Sequence, residues 1–187
     1  IARILKQGPA PDHDVILLLT DGEEAGSLGA RAFVESHPWV KDIGVVINLE
    51  ARGTSGPSLM FETSDGNDRL IDIYAKSVRR PATASSFVEV YRRMPNATDL
   101  RIFKQHGLAG YNFAFIRDVR NYHTPDDNLD NLDLRSLQQY GDNVLDLRLF
   151  GSKATGRDTP ESDIDILVIV DEASVALEDS VLGIAFD

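Results

Sequence analysis

Two short, mainly apolar runs constrain the fold of this chain more than any other feature. Residues 15–19 read Val-Ile-Leu-Leu-Leu, and residues 44–49 read Gly-Val-Val-Ile-Asn-Leu. Runs of this length without polar alternation are typical of strands that are buried on both faces, as in parallel sheets covered by helices. Each run leads into acidic residues: Glu23 and Glu24 follow the first after a short turn, and Glu50 follows the second directly.

Other strand-like and helical segments alternate along the chain. Strands are also predicted at residues 59–63 and 111–116, and helices at residues 26–36, 67–79, 98–106 and from Asp133 to about Leu147. Pro38 ends the first helix, Gly107 follows the third as a left-handed residue, and Asp133 caps the last. The alternation predicts a three-layer α/β/α sandwich with a mostly parallel sheet.

The composition excludes several classes of function. The 30 acidic residues outnumber the 19 basic ones, and the net charge of -11 argues against general nucleic-acid binding. The chain has no cysteine, so a bound metal must be held by His, Asp or Glu. No apolar run reaches the ~20 residues that a membrane-spanning helix needs. Nothing in the composition fixes the compartment.

The acidic strand ends suggest a metal site. In open α/β sheets, ligands bind at the carboxyl ends of the strands, and the adjacent carboxylates of Glu23 and Glu24 repel each other unless a cation lies between them. The alternative is a solvated helix start, where acids favour the helix dipole. His123 lies in a polar loop beyond a strand, where imidazole is either a metal ligand or simply exposed.

Taken in order, these segments resemble the zinc aminopeptidase family of the aminopeptidase Y and glutamate carboxypeptidase type, the dinuclear-zinc exopeptidases. The resemblance rests on Asp-Gly-Glu-Glu (21–24), Asn-Leu-Glu-Ala-Arg-Gly (48–53) and Tyr-His-Thr-Pro-Asp-Asp (122–127), supported by residues 99–103 and 110–114. It covers about residues 10–147 and implies a truncated zinc-exopeptidase fold that binds two zinc ions and hydrolyses the peptide bond next to a free N-terminus.

The resemblance also assigns roles to individual residues. Glu23 is expected to be the general base, and Glu24 and His123 to bind one zinc ion. Glu50 is expected to bind the other zinc ion, and Tyr122 to lie near the peptide substrate. In the family, the two metals polarise the peptide carbonyl and lower the pKa of the attacking water.

The family also needs a further His and a metal-bridging Asp upstream of the first acidic strand. Only residues 1–14 precede that strand here, and His13 and Asp14 adjoin it too closely to fill these positions. We therefore expect little or no peptidase activity from the chain as given. The opening at Ile1 suggests a fragment, and the missing strands would leave an exposed sheet edge through which the chain could self-associate.

The C-terminal part resembles the minimal nucleotidyltransferase family of the polymerase-beta type, over about residues 146–187. Gly151 and Ser152 follow a strand-like run, and Asp163 and Asp165 precede the apolar residues 166–170. The resemblance implies that the first pair holds nucleotide phosphates and the second pair binds magnesium. The alternative is an edge strand with solvated acids, and the later carboxylate that the family requires is absent.

Residues 144–149 fit both a helical and a strand-like period, which suggests a junction between two units. We predict a partial zinc-aminopeptidase domain at residues 1–147 and a partial nucleotidyltransferase domain, a short α/β fragment, at residues 148–187. Three functions remain open: a zinc metallopeptidase that is weak or inactive, a magnesium-dependent nucleotidyltransferase, and a non-catalytic hybrid.

Overall fold

The computed structural model describes residues 2–7, 14–148 and 165–171. In chain order these residues form α1 (Ala2–Gln7), β1 (Val15–Thr20), α2 (Leu28–Ser36), a 3-10 helix (Pro38–Asp42), β2 (Ile43–Ala51), β3 (Leu59–Thr63), α3 (Asp68–Ser77), α4 (Ser85–Tyr91), α5 (Leu100–Gln105), β4 (Gly110–Phe115), a second 3-10 helix (Val119–Asn121), α6 (Leu134–Arg148) and β5 (Asp165–Asp171).

The five strands form one sheet in the order β1-β5-β2-β4-β3. The pairs β1–β5, β5–β2 and β2–β4 are parallel, whereas β3 runs antiparallel to β4. This arrangement confirms the predicted α/β fold with a mostly parallel sheet. The more specific likeness to a zinc-exopeptidase sandwich stays a prediction.

Helices cover both faces of the sheet, which explains why the predicted strands are apolar without alternation. On one face Val45, Ile47 and Leu49 of β2 pack in a buried cluster with residues of α3 and α6. On the other face Val46 packs in a second cluster with residues of α2 and α5. Successive residues of β2 therefore belong to opposite layers, as strand geometry requires.

The C-terminal strand β5 lies in the middle of the sheet, between β1 and β2. Val168 belongs to the cluster with α3 and α6, and Ile169 belongs to the cluster with α2 and α5; both side chains are fully buried. Full burial of two branched aliphatic side chains stabilises the fold by about 3–6 kcal/mol. The predicted division into residues 1–147 and 148–187 stays a prediction, although β5 shares a sheet with β1 and β2.

The ends of several helices follow the local signals of the sequence. Helix α2 ends at Ser36, before Pro38. Gly107 after α5 has a φ of 78°, the left-handed conformation expected there. The backbone N–H of Arg135 donates to Asp133 Oδ1 at 3.1 Å, so Asp133 caps α6 as predicted.

The ambiguous segment 144–149 continues α6 as far as Arg148. The buried side chains of Tyr140, Val144 and Leu147 lie at helical spacing and face the sheet. The helical period therefore prevails over the strand-like one through residue 148, because the former places these three side chains in the core.

Strand β1 has β5 on one side and no other strand on its second side among the residues that the structure describes. Leu19 of β1 is 45% exposed. Self-association through this edge stays a prediction. Within the same described ranges, no helix combines the length and the apolar character that crossing a membrane requires.

Candidate metal centre

A tight turn after β1 carries Glu23 and Glu24. The backbone N–H groups of Gly26 and Ser27 both donate to the carbonyl of Glu23, at 2.9 and 2.8 Å, and Gly22 adopts a φ of 70°. A Cβ at Gly29 would lie only 2.8 Å from the backbone nitrogen of Asp21, so the turn packs closely against the first residues of α2. The two glutamates are thus held at the carboxyl edge of the sheet.

The loop that carries His123 is fastened to the segment after β2. The N–H of Arg117 donates to the Ser55 carbonyl at 2.8 Å, and the N–H of Ser55 donates to the Arg117 carbonyl at 3.3 Å. The Ser55 hydroxyl donates to Asp118 Oδ2 at 2.7 Å, and the Asn121 amide donates to Thr54 Oγ1 at 3.0 Å. These bonds hold the His123 loop, which is about 70 residues further along the chain, at the edge of the sheet where Glu50 lies.

His123 and Glu24 are in direct contact. His123 Nε2 lies 2.9 Å from Glu24 Oε1, and both side chains are more than half exposed. The His123 ring stacks on Tyr122, with centroids 3.9 Å apart, and the Arg52 guanidinium lies 5.4 Å from the centre of the Tyr122 ring. Arg52, two residues after Glu50, therefore lies over the Tyr122 ring on which His123 stacks.

Glu50 is oriented by neighbours on two sides. The Asn48 side-chain amide donates to Glu50 Oε1 at 2.8 Å and to Asn112 Oδ1 at 2.9 Å. The phenolic O–H of Tyr140, in α6, donates to the backbone carbonyl of Glu50. Asn48 and Asn112 are completely buried. The Asn48 amide therefore fixes the Glu50 carboxylate, and the Asn112 side-chain oxygen fixes the Asn48 amide in turn.

The polar contacts continue across the sheet from Asn112. Its side-chain N–H₂ group donates to Thr98 Oγ1 at 2.7 Å and to Glu62 Oε2 at 3.0 Å. Lys104 Nζ lies 2.7 Å from the other oxygen of Glu62 and supplies an opposite charge. The strand end at Glu50 is therefore linked to α5 and β3 by hydrogen bonds in a region with little solvent.

The negative charge of the edge contributes to the raised pKa of two tyrosines. Burial raises the pKa of Tyr122, and the carboxylates of Glu24, Glu50 and Glu23 raise it further, while Arg52 lowers it. Burial likewise raises the pKa of a second tyrosine, Tyr91, to about 12, with added contributions from Glu62, Glu50 and Glu23 and an opposing hydrogen bond from Thr98. Both phenols keep their protons at neutral pH and can act only as neutral donors or acceptors.

The donors at this edge suit zinc. Glu24 and His123 supply an oxygen and a nitrogen, the ligand types that zinc takes when cysteine is absent. Two such ligands of a tetrahedral zinc ion lie about 3.4 Å apart, close to the observed contact of 2.9 Å. Within the described residues, however, no group of three or more His, Asp or Glu side chains is already arranged around one metal position. Glu50 lies at the same edge but is held by Asn48.

The predicted nucleotide-binding residues lie elsewhere. Gly151, Ser152 and Asp163 fall outside the described residues. Asp165 is the first residue of β5 and is in register with Ile43, at the start of β2. Because β1, β5 and β2 are parallel, Asp165 lies at the amino edge of the sheet, opposite the edge that carries Glu50.

Several contributors to the edge were not predicted from the sequence. They are Asn48, Arg52, Thr54, Ser55, Tyr91, Asn112 and Tyr140. One signal was available: Asn48 and Asn112 are amides within otherwise apolar strands, and such buried amides need partners. The roles of Thr54 and Ser55 depend on a loop contact that no local pattern encodes.

Comparison with known proteins gives the family of the chain. The family model described as Peptidase family M28 matches residues 1–148, and a model described as a nucleotidyltransferase domain matches residues 133–184. A vacuolar membrane protease of Candida dubliniensis is 34% identical over 89% of this chain and 18% of its own length. Endoplasmic reticulum metallopeptidase 1 is 34% identical over 78% of this chain, which covers 17% of the Mus musculus protein and 16% of the Homo sapiens protein.

The chain thus spans less than a fifth of the length of these relatives, and no solved structure matches it. The Peptidase family M28 model nevertheless covers more than half of the chain, including Glu23, Glu24, Glu50 and His123. On this ground the chain belongs to peptidase family M28.

Proposed function

We propose that this chain carries part of a zinc-dependent metallopeptidase site that acts, like an aminopeptidase, on the peptide bond next to a free N-terminus. The observation that supports the proposal best is the contact between His123 Nε2 and Glu24 Oε1 at 2.9 Å. These residues are 99 positions apart in sequence, and a polar loop must fold back over the segment after β2 for them to meet.

The proposed roles follow from position. Glu24 and His123 hold one zinc ion, Glu50 holds a second, and Glu23 takes a proton from the attacking water and passes it to the leaving amine. Bound zinc would polarise the peptide carbonyl and make water a stronger acid. The Tyr122 phenol is protonated at neutral pH, and burial raises its pKa further, so it can donate a hydrogen bond to the substrate carbonyl.

We further propose that turnover is weak or absent in the chain as given. Only three protein ligands for two ions come from the family resemblance, and one of them, Glu50, also accepts a hydrogen bond from the Asn48 side chain. With too few ligands, the metals would be bound weakly and the carbonyl would not be fixed for attack.

Zinc titration by calorimetry tests the metal site. We expect Glu24→Gln and His123→Ala each to weaken zinc binding by about tenfold or more, since each removes a ligand. Glu35→Gln is the matched control, because this exposed glutamate of α2 undergoes the same chemical change away from the edge. If the wild-type chain does not bind zinc, or if all three variants bind it equally, the metal site is refuted.

An aminopeptidase assay with added zinc tests the statement on turnover. We expect activity at the level of the zinc-containing blank. Measurable hydrolysis that Glu23→Gln abolishes would refute the proposed inactivity and would support the role of Glu23 as base.

A magnesium-dependent nucleotidyltransferase is the second candidate, favoured by the family model that matches residues 133–184. The two candidate functions would use opposite edges of the sheet, because Asp165 lies at the edge opposite to the one that carries Glu50. Magnesium binding that Asp165→Asn abolishes and His123→Ala leaves unchanged would support the second candidate. If the chain binds neither metal, the non-catalytic hybrid is the better description.

A further inference from the structure

An open cleft of about 680 Å³ lies at the start of α6. Its walls are the loop after β2 near Gly56, the loop after β4 near Arg117, the turn after α3 near Arg80, and the first turns of α6. Ligand-binding clefts in proteins measure about 300–1,000 Å³, so this cleft is large enough to hold several side chains of a ligand. None of the residues assigned to the metal centre lines it.

Arginines dominate the charge of the cleft. Arg80, Arg117 and Arg135 line it together with Asp133 and Asp142. Both acids are already paired, because Arg135 Nε lies 3.1 Å from Asp133 Oδ1 and an arginine outside the cleft lies 3.5 Å from Asp142 Oδ1. Arg80 and Arg117, by contrast, form no ion pair with any residue that the structure describes. The cleft therefore presents two unpaired cations in a chain whose net charge is -11.

The position of Arg80 is fixed through the residue before it. The backbone N–H of Arg79 donates to Asp146 Oδ2 at 3.1 Å, and its side-chain Nε–H donates to the same oxygen at 3.1 Å. Because Asp146 belongs to α6, these bonds tie the turn after α3 to that helix. Arg80 is therefore held beside the cleft.

Arg117 is held on another wall by the loop after β2. The Gly56 N–H donates at 2.9 Å to the hydroxyl of Ser136, a buried residue of α6. A Cβ at Gly56 would lie 3.2 Å from Arg117 Cβ, so this loop also packs directly against Arg117. Together with the two backbone bonds between Ser55 and Arg117, these contacts fix the walls before a ligand binds, which lowers the ordering cost of binding.

The chemistry of the cleft suits carboxylates. A guanidinium group binds a carboxylate through two parallel N–H···O hydrogen bonds, and concave protein walls strengthen the attraction by concentrating the electric field. The unpaired arginines, Arg80 and Arg117, come from different walls of the cleft. This arrangement matches carboxylates spaced along a peptide better than it matches one compact phosphate.

We propose that this cleft binds the carboxylate side chains of an acidic peptide, with Arg80 and Arg117 as the main contacts. The binding itself needs no metal. That the bound peptide is a substrate of the candidate metal centre rests on the proposed function, and it follows from the position of His123, six residues beyond Arg117 in the same loop. Acidic peptides are then the preferred substrate class.

Titration of the metal-free chain, with EDTA present, tests the cleft separately from the metal centre. The probe is a short capped peptide of alternating glutamate and alanine, and the reference peptide has glutamine in place of each glutamate. NMR follows the binding through the side-chain Nε–H signals of arginine. We expect the acidic peptide to bind at least about tenfold more tightly than the reference, and about 0.5 M NaCl to remove the difference by screening exposed charges.

Arginine variants locate the binding. Arg80→Gln and Arg117→Gln should each weaken binding of the acidic peptide by about tenfold, the loss expected for one charge-assisted pair. Arg80→Lys keeps the charge but loses the bidentate geometry, so its affinity should be intermediate. Arg101→Gln is the matched control, because Arg101 is an exposed arginine of α5, on the other face of the sheet. Thermal unfolding checks that each variant is folded, and Arg80→Gln carries the test if Arg117→Gln does not fold.

Each outcome decides between distinct statements. Equal binding of the two peptides, or equal affinities of the three glutamine variants, would refute the proposal. Inorganic phosphate that binds more tightly than the acidic peptide, and displaces it, would identify a phosphate site and would also refute it. Zinc binding without peptide binding would refute the cleft and leave the metal site standing, whereas peptide binding without zinc binding would support the cleft and refute the proposed peptidase function.

Discussion

Replacing Gly53 with alanine should detach the loop that carries His123. A Cβ at this position would lie 2.1 Å from the carbonyl oxygen of Arg117 and 2.9 Å from its carbonyl carbon. A carbon–oxygen contact is normally about 3.3 Å or longer, so the Arg117 carbonyl would have to move by about 1.2 Å. Both atoms that clash belong to backbone, and no side-chain rotation can relieve them.

The expected cost follows from what that movement breaks. The two backbone hydrogen bonds between Ser55 and Arg117 would be lost, at about 1 kcal/mol each, and residual overpacking would add about 1 kcal/mol. The total of about 3 kcal/mol corresponds to a fall in Tm of about 6–12 °C for a chain of this size. Zinc affinity should also fall, because His123 lies six residues beyond Arg117 in the same loop.

Differential scanning calorimetry and zinc titration measure the two effects. Gly141→Ala is the matched control, because a Cβ at Gly141, within α6, meets no atom within 4 Å. This control should be unchanged or more stable by up to about 1 kcal/mol. A Gly53→Ala variant with the wild-type Tm and zinc affinity would show that the loop does not depend on this close approach, and the reasoning would be refuted.

Two further predictions concern other strained or buried groups. Ser27 adopts a left-handed φ of 57°, so Ser27→Gly should raise the Tm by about 2–4 °C, and an unchanged or lower Tm would contradict this. The folded-state pKa of Tyr91 is about 12, above the usual value of 10.0. Its contribution to stability is complete below pH 10 and is lost as the pH rises to about 12. Thermal melts from pH 9 to 12 should therefore decline less steeply for Tyr91→Phe than for wild type; parallel declines would oppose the assignment.

The sequence was sufficient to locate β1, β2, β3 and β4 to within about two residues, because their apolar runs have few interruptions. It did not reveal α4, which contains no fully buried residue and therefore has only a weak apolar stripe. The antiparallel direction of β3 was also not predictable in detail, since strand direction depends on the connection and not on the strand's own residues.

The candidate site was predictable in part for a similar reason. Acids that follow buried strands signal an edge site, and this reasoning located Glu24 and Glu50. The contact between His123 and Glu24 was expected only from the family resemblance, because it depends on a loop held by Gly53, Thr54 and Ser55. The residues of this loop show neither helical nor strand periodicity. Glycine at position 53 allows a close backbone approach that no local pattern reveals.

The position of β5 links the fold to the chemistry of the edge. Its sequence drew attention through Asp163, which precedes the strand, and Asp165, its first residue. Parallel pairing, however, sends the end of the strand, and not its start, to the edge beside Glu50. Every strand of a parallel sheet delivers the residue that follows its core segment to the same edge. At that edge the carboxylate of Glu24 lies in contact with the imidazole of His123. A carboxylate set joined by an imidazole favours zinc over magnesium, which prefers oxygen ligands and retains its waters.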